Sequence, residues 1–198
     1  MNPLKSIPGT IISGFILALI MVFAFKTGNG NPVEWTIWIH AIVGVTWIGL
    51  LYYFNFVQVP AVGQALAEAK DGGPGAAAIN KYVAPRALAW FRYAALLTWL
   101  TGAAALWKYG ILGDAFMLKE NAIIIGLGAW MGTIMLFNVW VLIWPNQKKI
   151  LGMVESTPEA IAKGKVVALM ASRVNTLLSI PMLLAMTASQ YHNGGMPL

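Results

Sequence analysis

Apolar and polar residues along this chain alternate in long blocks rather than at the short periods of a soluble domain. A bilayer core of ~30 Å takes ~20 apolar residues as helix. Five stretches reach that length, at about 8–25, 33–59, 85–109, 121–144 and 166–191. They predict an all-α integral membrane protein, a bundle of five transmembrane helices forming a single domain over residues 1–198. The connecting segments carry the polar signals. Asp71-Gly-Gly-Pro-Gly75 is a loop, and Gln64–Lys70 continues the second stretch as a surface helix. Ser156 and Thr157 before Pro158 and Glu159 make a helix start, so the fifth helix begins outside the membrane.

The second stretch breaks its own apolar pattern. At about 100° per residue, Thr36, His40, Gly44, Trp47, Leu51 and Gln58 share one face, with Asn55 beside it. A lipid-facing surface would avoid these polar groups, so this face predicts contact with protein or a cofactor. The fifth stretch has a matching face. Ser172, Asn175, Ser179, Met182, Met186, Ser189 and His192 recur at spacings of three and four, with Pro181 among them. Two readings stay open for it: a helix–helix seam, or the wall of a cavity opposite His40.

Composition sharpens this picture. The 198 residues are 59% hydrophobic and 10% charged, against roughly 25% charged in a soluble domain. The net charge of +6 sits beside apolar runs and forms no stripe, which argues for membrane topology and against nucleic acid. Lys5, Lys70, Lys81, Arg86, Lys148, Lys149, Lys163 and Lys165 fall on one side of five spans, and Lys26, Lys108 and Lys119 on the other. The positive-inside rule then puts the N-terminus in the cytoplasm and the C-terminus in the periplasm of a bacterial inner membrane. The first apolar run lacks a convincing signal-peptide pattern. In this orientation His40 and His192, the two histidines of the chain, lie toward the outer surface. Asn55 and Gln58 lie toward the inner one. His40 and Gln58 are about 27 Å apart along a helix and cannot share one small site.

The chemistry open to such a chain is narrow. With no cysteine, disulfides, thiolate metal sites and covalent haem c are excluded. No carboxylates pair within an apolar stretch, and no Ser/His/Asp set or phosphate-cradling glycine loop occurs. Redox, transport or an assembly role remains. A neutral His40 suits haem iron, Gly44 one turn on leaves room for a flat macrocycle, and Trp47 packs on its edge. The alternative is a histidine satisfied by an interhelical hydrogen bond. Copper held by His40, His192 and nearby methionines is a further candidate. Arg92 and Arg173 lie about two turns inside the cytoplasmic boundary. Arg173, beside Asn175 and Thr176, reads as an anion or propionate holder, and Arg92 as a snorkelling cation. In the fourth stretch Gly128-x-x-x-Gly132 permits close helix approach, and Asn138 calls for a partner such as Asn55 or Gln58.

Two runs carry a family resemblance. Trp38-Ile-His40 through Gln58-Val-Pro60, and Arg173-Val-Asn175-Thr-Leu-Leu-Ser179-Ile-Pro181-Met182, resemble the membrane domain of the bacterial cytochrome-c-linked urate oxidases, from the second helix to the end of the fifth. His40, Trp47, Gly49 and Tyr52 more distantly resemble a pattern in HemJ-type protoporphyrinogen oxidases and copper-resistance D membrane proteins. The HemJ likeness implies haem b on His40, with no match for that family's lysine partner. The urate oxidase likeness implies a urate hydroxylase-like oxidoreductase. Without a cysteine for haem c, its electrons would go to an external acceptor such as a separate cytochrome c. The other expectation is a non-catalytic subunit of a larger membrane complex.

Overall fold

The structure is a computed structural model that describes residues 2–25 and 31–188. Among the described residues there is helix, turn and coil but no strand. The chain divides into two compact units, Met1–Glu34 and Trp35–Leu198.

The first unit holds α1, Ile7–Phe25. Its start is capped by Ser6, whose Oγ accepts from the Gly9 amide (3.2 Å), and Asn2 Oδ1 caps the short turn Pro3–Lys5 before it through the Leu4 amide (2.9 Å). None of its side chains is buried. That is the surface of a helix made for lipid or for another chain, not for water.

The second unit contains α2 (Pro32–Asp71) from Trp35 onward, α3 (residues 79–108), the short α4 (Leu112–Phe116), α5 (Glu120–Ile150) and α6 (Pro158–Ala188). Among the described residues α1, α2, α5 and α6 are long and apolar enough to cross a membrane, which makes this a multi-pass membrane protein. In α3 the apolar run is diluted by Arg86, Arg92 and several Thr, Tyr and Trp residues.

Prolines explain why these helices outrun the predicted stretches. A helical proline lacks an N–H and its ring presses on the carbonyl four residues back. Pro60, Pro85 and Pro145 each stand just after a turn that has widened to i→i+5 bonding: Phe54–Gln58, Ile79–Val83 and Asn138–Ile143. The amide just before each proline reaches five residues back, Val59 to Phe54, Ala84 to Ile79 and Trp144 to Val139. The extra residue absorbs the clash, and the helix runs on. α2 therefore passes through Pro60 to Asp71, where Gly72 takes φ 84° and ends it. α6 starts at Pro158, as the capping signal predicts, with the Ala160 amide on Thr157 Oγ1 at 3.2 Å.

α2, α3, α5 and α6 run alternately up and down. Their proline ends lie together, and His40 sits toward the other end. The core between them is built from Trp47, Leu51 and Phe54 of α2, Phe91 and Ala95 of α3, Met135 and Val139 of α5, and Met182 of α6. Phe54 and Phe91 meet edge to face at 5.4 Å. The buried face of α6 is nearly all small, with Gly164, Ala168, Ala171, Ser179, Ala185 and Ala188. Small side chains let the α5 backbone come close, the usual basis of packing where lipid removes the hydrophobic drive. Large apolar groups such as Val45, Phe56, Leu177 and Ile180 point outward.

Candidate functional site

His40 is half-buried between α2 and α3. Its Nδ1 lies 2.9 Å from the Thr98 carbonyl and 3.2 Å from Thr101 Oγ1. A carbonyl only accepts, so Nδ1 carries the proton and donates, and in the neutral ring Nε2 keeps its lone pair. Among the described residues no group partners Nε2. Thr101 Oγ1 also donates to the Leu97 carbonyl at 2.7 Å, which fixes its position beside the ring. The ring lies against Gly102, where a Cβ would stand 2.9 Å from His40 Cε1. One turn beyond, Lys108 Nζ donates to Thr36 Oγ1 at 2.7 Å and ties the same two helices.

The other predicted residues take different places. Gly44 faces α3, its missing Cβ 3.7 Å from Thr98 Cγ2. A side-chain methyl would meet Thr98 there only in ordinary contact, so the close approach at this level is made at Gly102 and not at Gly44. Trp47 is buried in the core at 2% exposure, away from any open face. Arg173 is exposed on α6. Its neighbour Ser172 accepts from Asn55 Nδ2 at 2.8 Å, which sets Arg173 level with Asn55, about 22 Å along α2 from His40. The structure does not bring Arg173 and His40 together. His192 and Ser189 lie outside the described residues.

The polar faces of α2 and α6 meet as a seam. Tyr52 Oη and Ser179 Oγ are 3.0 Å apart, and Asn55 also donates to the Leu51 carbonyl at 2.9 Å. Asn138 donates from Nδ2 to Asn175 Oδ1 (2.7 Å), and Asn175 donates to the Met135 carbonyl (3.0 Å). The partner of Asn138 is therefore Asn175, in place of Asn55 or Gln58, because α6 lies directly against α5 at that level. Trp99 Nε1 donates to Thr133 Oγ1 at 2.9 Å. Every adjacent pair in the ring α2–α3–α5–α6–α2 thus holds a side-chain hydrogen bond. His40 supplies the first, Trp99 the second, Asn138 the third, and Tyr52 with Asn55 the fourth.

The glycines divide differently from the spacing argument. Gly128 faces Ala185 and Met186 of α6, its added Cβ at 3.1 and 3.2 Å, but Gly132 has open space. The tightest approach on α5 is at Gly126, where a Cβ would strike the Ala115 carbonyl. Ala115 belongs to α4, a five-residue helix folded over the His40 end of α5. Trp130 Nε1 donates to the Phe116 carbonyl at 3.0 Å and its ring meets Phe116 at 5.5 Å. Asp114 pairs with Lys119 at 2.6 Å. That contact, helped by Asn121, holds the Asp114 carboxyl below its ordinary range. Thr98, Thr101, Gly102 and Gly126 are residues that the sequence reading missed. Thr-Gly in the middle of a long helix was the available signal for the first three.

The fold and this seam define a helical multi-pass membrane protein whose interior is held by polar side chains. Residues 111–194 match the urate oxidase N-terminal family model. The match takes in α4, α5 and α6, including the Arg173–Met182 run, and leaves His40 and α2 outside it. No curated protein and no solved structure matches.

Proposed function

We propose that the protein is a urate-oxidase-related redox protein of a bacterial inner membrane, binding haem b through His40 Nε2 near the periplasmic face. In this reading α3 makes the fifth crossing, between α2 and α5, with the N-terminus in the cytoplasm. The observation that carries it is the Nδ1 contact with the Thr98 carbonyl, 2.9 Å long. A ligating histidine needs its second nitrogen held by an acceptor, which sets the tautomer and turns the lone pair of the other nitrogen outward. The donor chemistry at His40 therefore fits an axial ligand. Bound haem b supplies one-electron exchange with a separate partner such as a cytochrome c. The chain's own residues orient the ligand. Thr98 and Thr101 hold its proton, and Gly102 gives the ring its bed. A haemochrome assay on protein purified from haem-replete cells tests this. About one haem per chain, lost in His40→Ala, supports it, and a haem-free protein overturns it.

The closed ring of interhelical hydrogen bonds favours a second reading, a non-catalytic subunit of a larger membrane complex. There His40 is one more bolt between helices. A colourless protein that copurifies with fixed partners selects this reading.

A further inference from the structure

Arg92 stands within the apolar body of α3, its Cζ 3.8 Å from the Trp144 ring centre and 4.9 Å from that of Tyr93. Lys148 Nζ lies 5.8 Å from the same Trp144 ring. Two cations thus converge on one indole at the proline end of the bundle. A cation over an aromatic face is held in place but not neutralised. Among the described residues the ion pair found is Lys119–Asp114, at the opposite end. α3 has no acidic residue, and the single acid of α5 is Glu120, at its far end. Two donors here, Arg92 Nη1 and Trp140 Nε1, meet no acceptor among the described residues.

The same corner closes an apolar groove. Trp140, whose ring meets Tyr93 at 6.0 Å, forms one wall of an open groove of about 500 Å³ between α3 and α5, shared with Leu100, Thr133, Leu136 and Phe137. Leu100 and Phe137 are exposed on the outward surface of the bundle. The groove therefore opens to lipid, with its positive charge at one end.

We propose that this groove binds one anionic phospholipid, with an acyl chain along Leu100 and Phe137 and the headgroup phosphate at Arg92 and Lys148. The chemistry favours a lipid over a soluble anion because the cations adjoin an apolar channel that opens to the bilayer. It favours an anionic headgroup because neither Arg92 nor Lys148 is in an ion pair among the described residues, although Glu155 and Glu159 lie at the same end of the bundle.

The test uses the full-length protein, delipidated in detergent, and native mass spectrometry. Phosphatidylglycerol and phosphatidylcholine with identical acyl chains are offered in turn, and inorganic phosphate is added in a separate arm. One retained phosphatidylglycerol is expected, preferred over phosphatidylcholine roughly tenfold or more. Arg92→Gln and Lys148→Gln should each reduce that preference, while Lys165→Gln, on the exposed surface of α6, should not. Leu100→Trp, which fills the groove and keeps both cations, should reduce retention of both lipids. Equal retention of the two lipids overturns the proposal, as does a preference unchanged in Arg92→Gln and Lys148→Gln. Displacement of the lipid by millimolar phosphate shows a soluble-anion site and overturns it as well.

Discussion

Asn138 and Asn175 form a buried amide pair, Asn138 Nδ2 donating to Asn175 Oδ1 at 2.7 Å, while Asn175 Nδ2 donates to the Met135 carbonyl. Asn175 is fully buried and Asn138 nearly so. The pair joins α5 to α6 where no water can substitute for a lost partner.

Asn175→Val should cost about 1–3 kcal/mol of stability, since it leaves the buried Asn138 Nδ2 without its acceptor and removes a second bond to the Met135 carbonyl, which keeps the Asn138 backbone N–H. Tyr52→Phe removes the hydroxyl from a single bond to Ser179 and should cost about 0.6 kcal/mol, an ordinary interhelical value in a bilayer. Unfolding in mixed micelles measures both. If Asn175→Val costs no more than Tyr52→Phe, the amide pair does not anchor the bundle.

Two glycines six residues apart on α5 should respond in opposite ways. Gly126→Ala drives a methyl into the Ala115 carbonyl and should lose about 1–3 kcal/mol as α4 is pushed off α5. Gly132→Ala meets nothing within 4 Å and should be neutral or gain up to about 1 kcal/mol from helix propensity. Thermal unfolding of the two variants side by side decides the matter, and equal losses would refute the assignment.

The tautomer of His40 rests on Gly102. Gly102→Ala puts a methyl 2.9 Å from Cε1, so the ring must leave the Thr98 carbonyl. In ¹⁵N-histidine-labelled, haem-free protein, the His40 signal, assigned with His40→Ala, should report Nδ1–H in the parent and a mixture of tautomers in Gly102→Ala. A parent spectrum showing Nε2–H would contradict the described hydrogen bond.

The Asp114–Lys119 contact makes the α4 loop sensitive to acid. The folded Asp114 carboxyl titrates below its unfolded value. Its contribution is therefore complete above the ordinary carboxylate range and is lost as pH falls through the depressed value. Amide protection factors in residues 112–121, corrected for the intrinsic pH dependence of exchange, should hold from neutral pH through the ordinary carboxylate range and fall only in stronger acid, and Asp114→Asn should show the lower protection already at neutral pH. Indifference of the loop to that substitution would show that the pair does not hold it.

Much of the helical framework was legible in the sequence because membrane length and side-chain polarity act locally. The apolar stretches and the Thr157 start needed no partner to be seen. Helix at Gln64–Lys70 was legible beyond Pro60, but the unbroken runs through Pro85 and Pro145 were not, since a proline ends a helix or widens it according to whether packing holds the chain on both sides. The polar face of α2 was visible, but its partners were not. Asn55 finds Ser172 and Asn138 finds Asn175 only once the α2, α5 and α6 axes are in place. The same is true of Gly102 and Gly126, whose need for a bare Cα comes from an imidazole and a carbonyl distant in sequence. Arg173 looked functional from its polar neighbours Asn175 and Thr176, yet Asn175 turns inward and Arg173 outward.

Haem binding at His40 is tested most directly by the absorbance spectrum of the protein purified from haem-replete membranes. A Soret band that shifts on reduction, is lost in His40→Ala and persists in Arg173→Gln is expected. A protein with no Soret band, or one whose band is unchanged in His40→Ala, would contradict it.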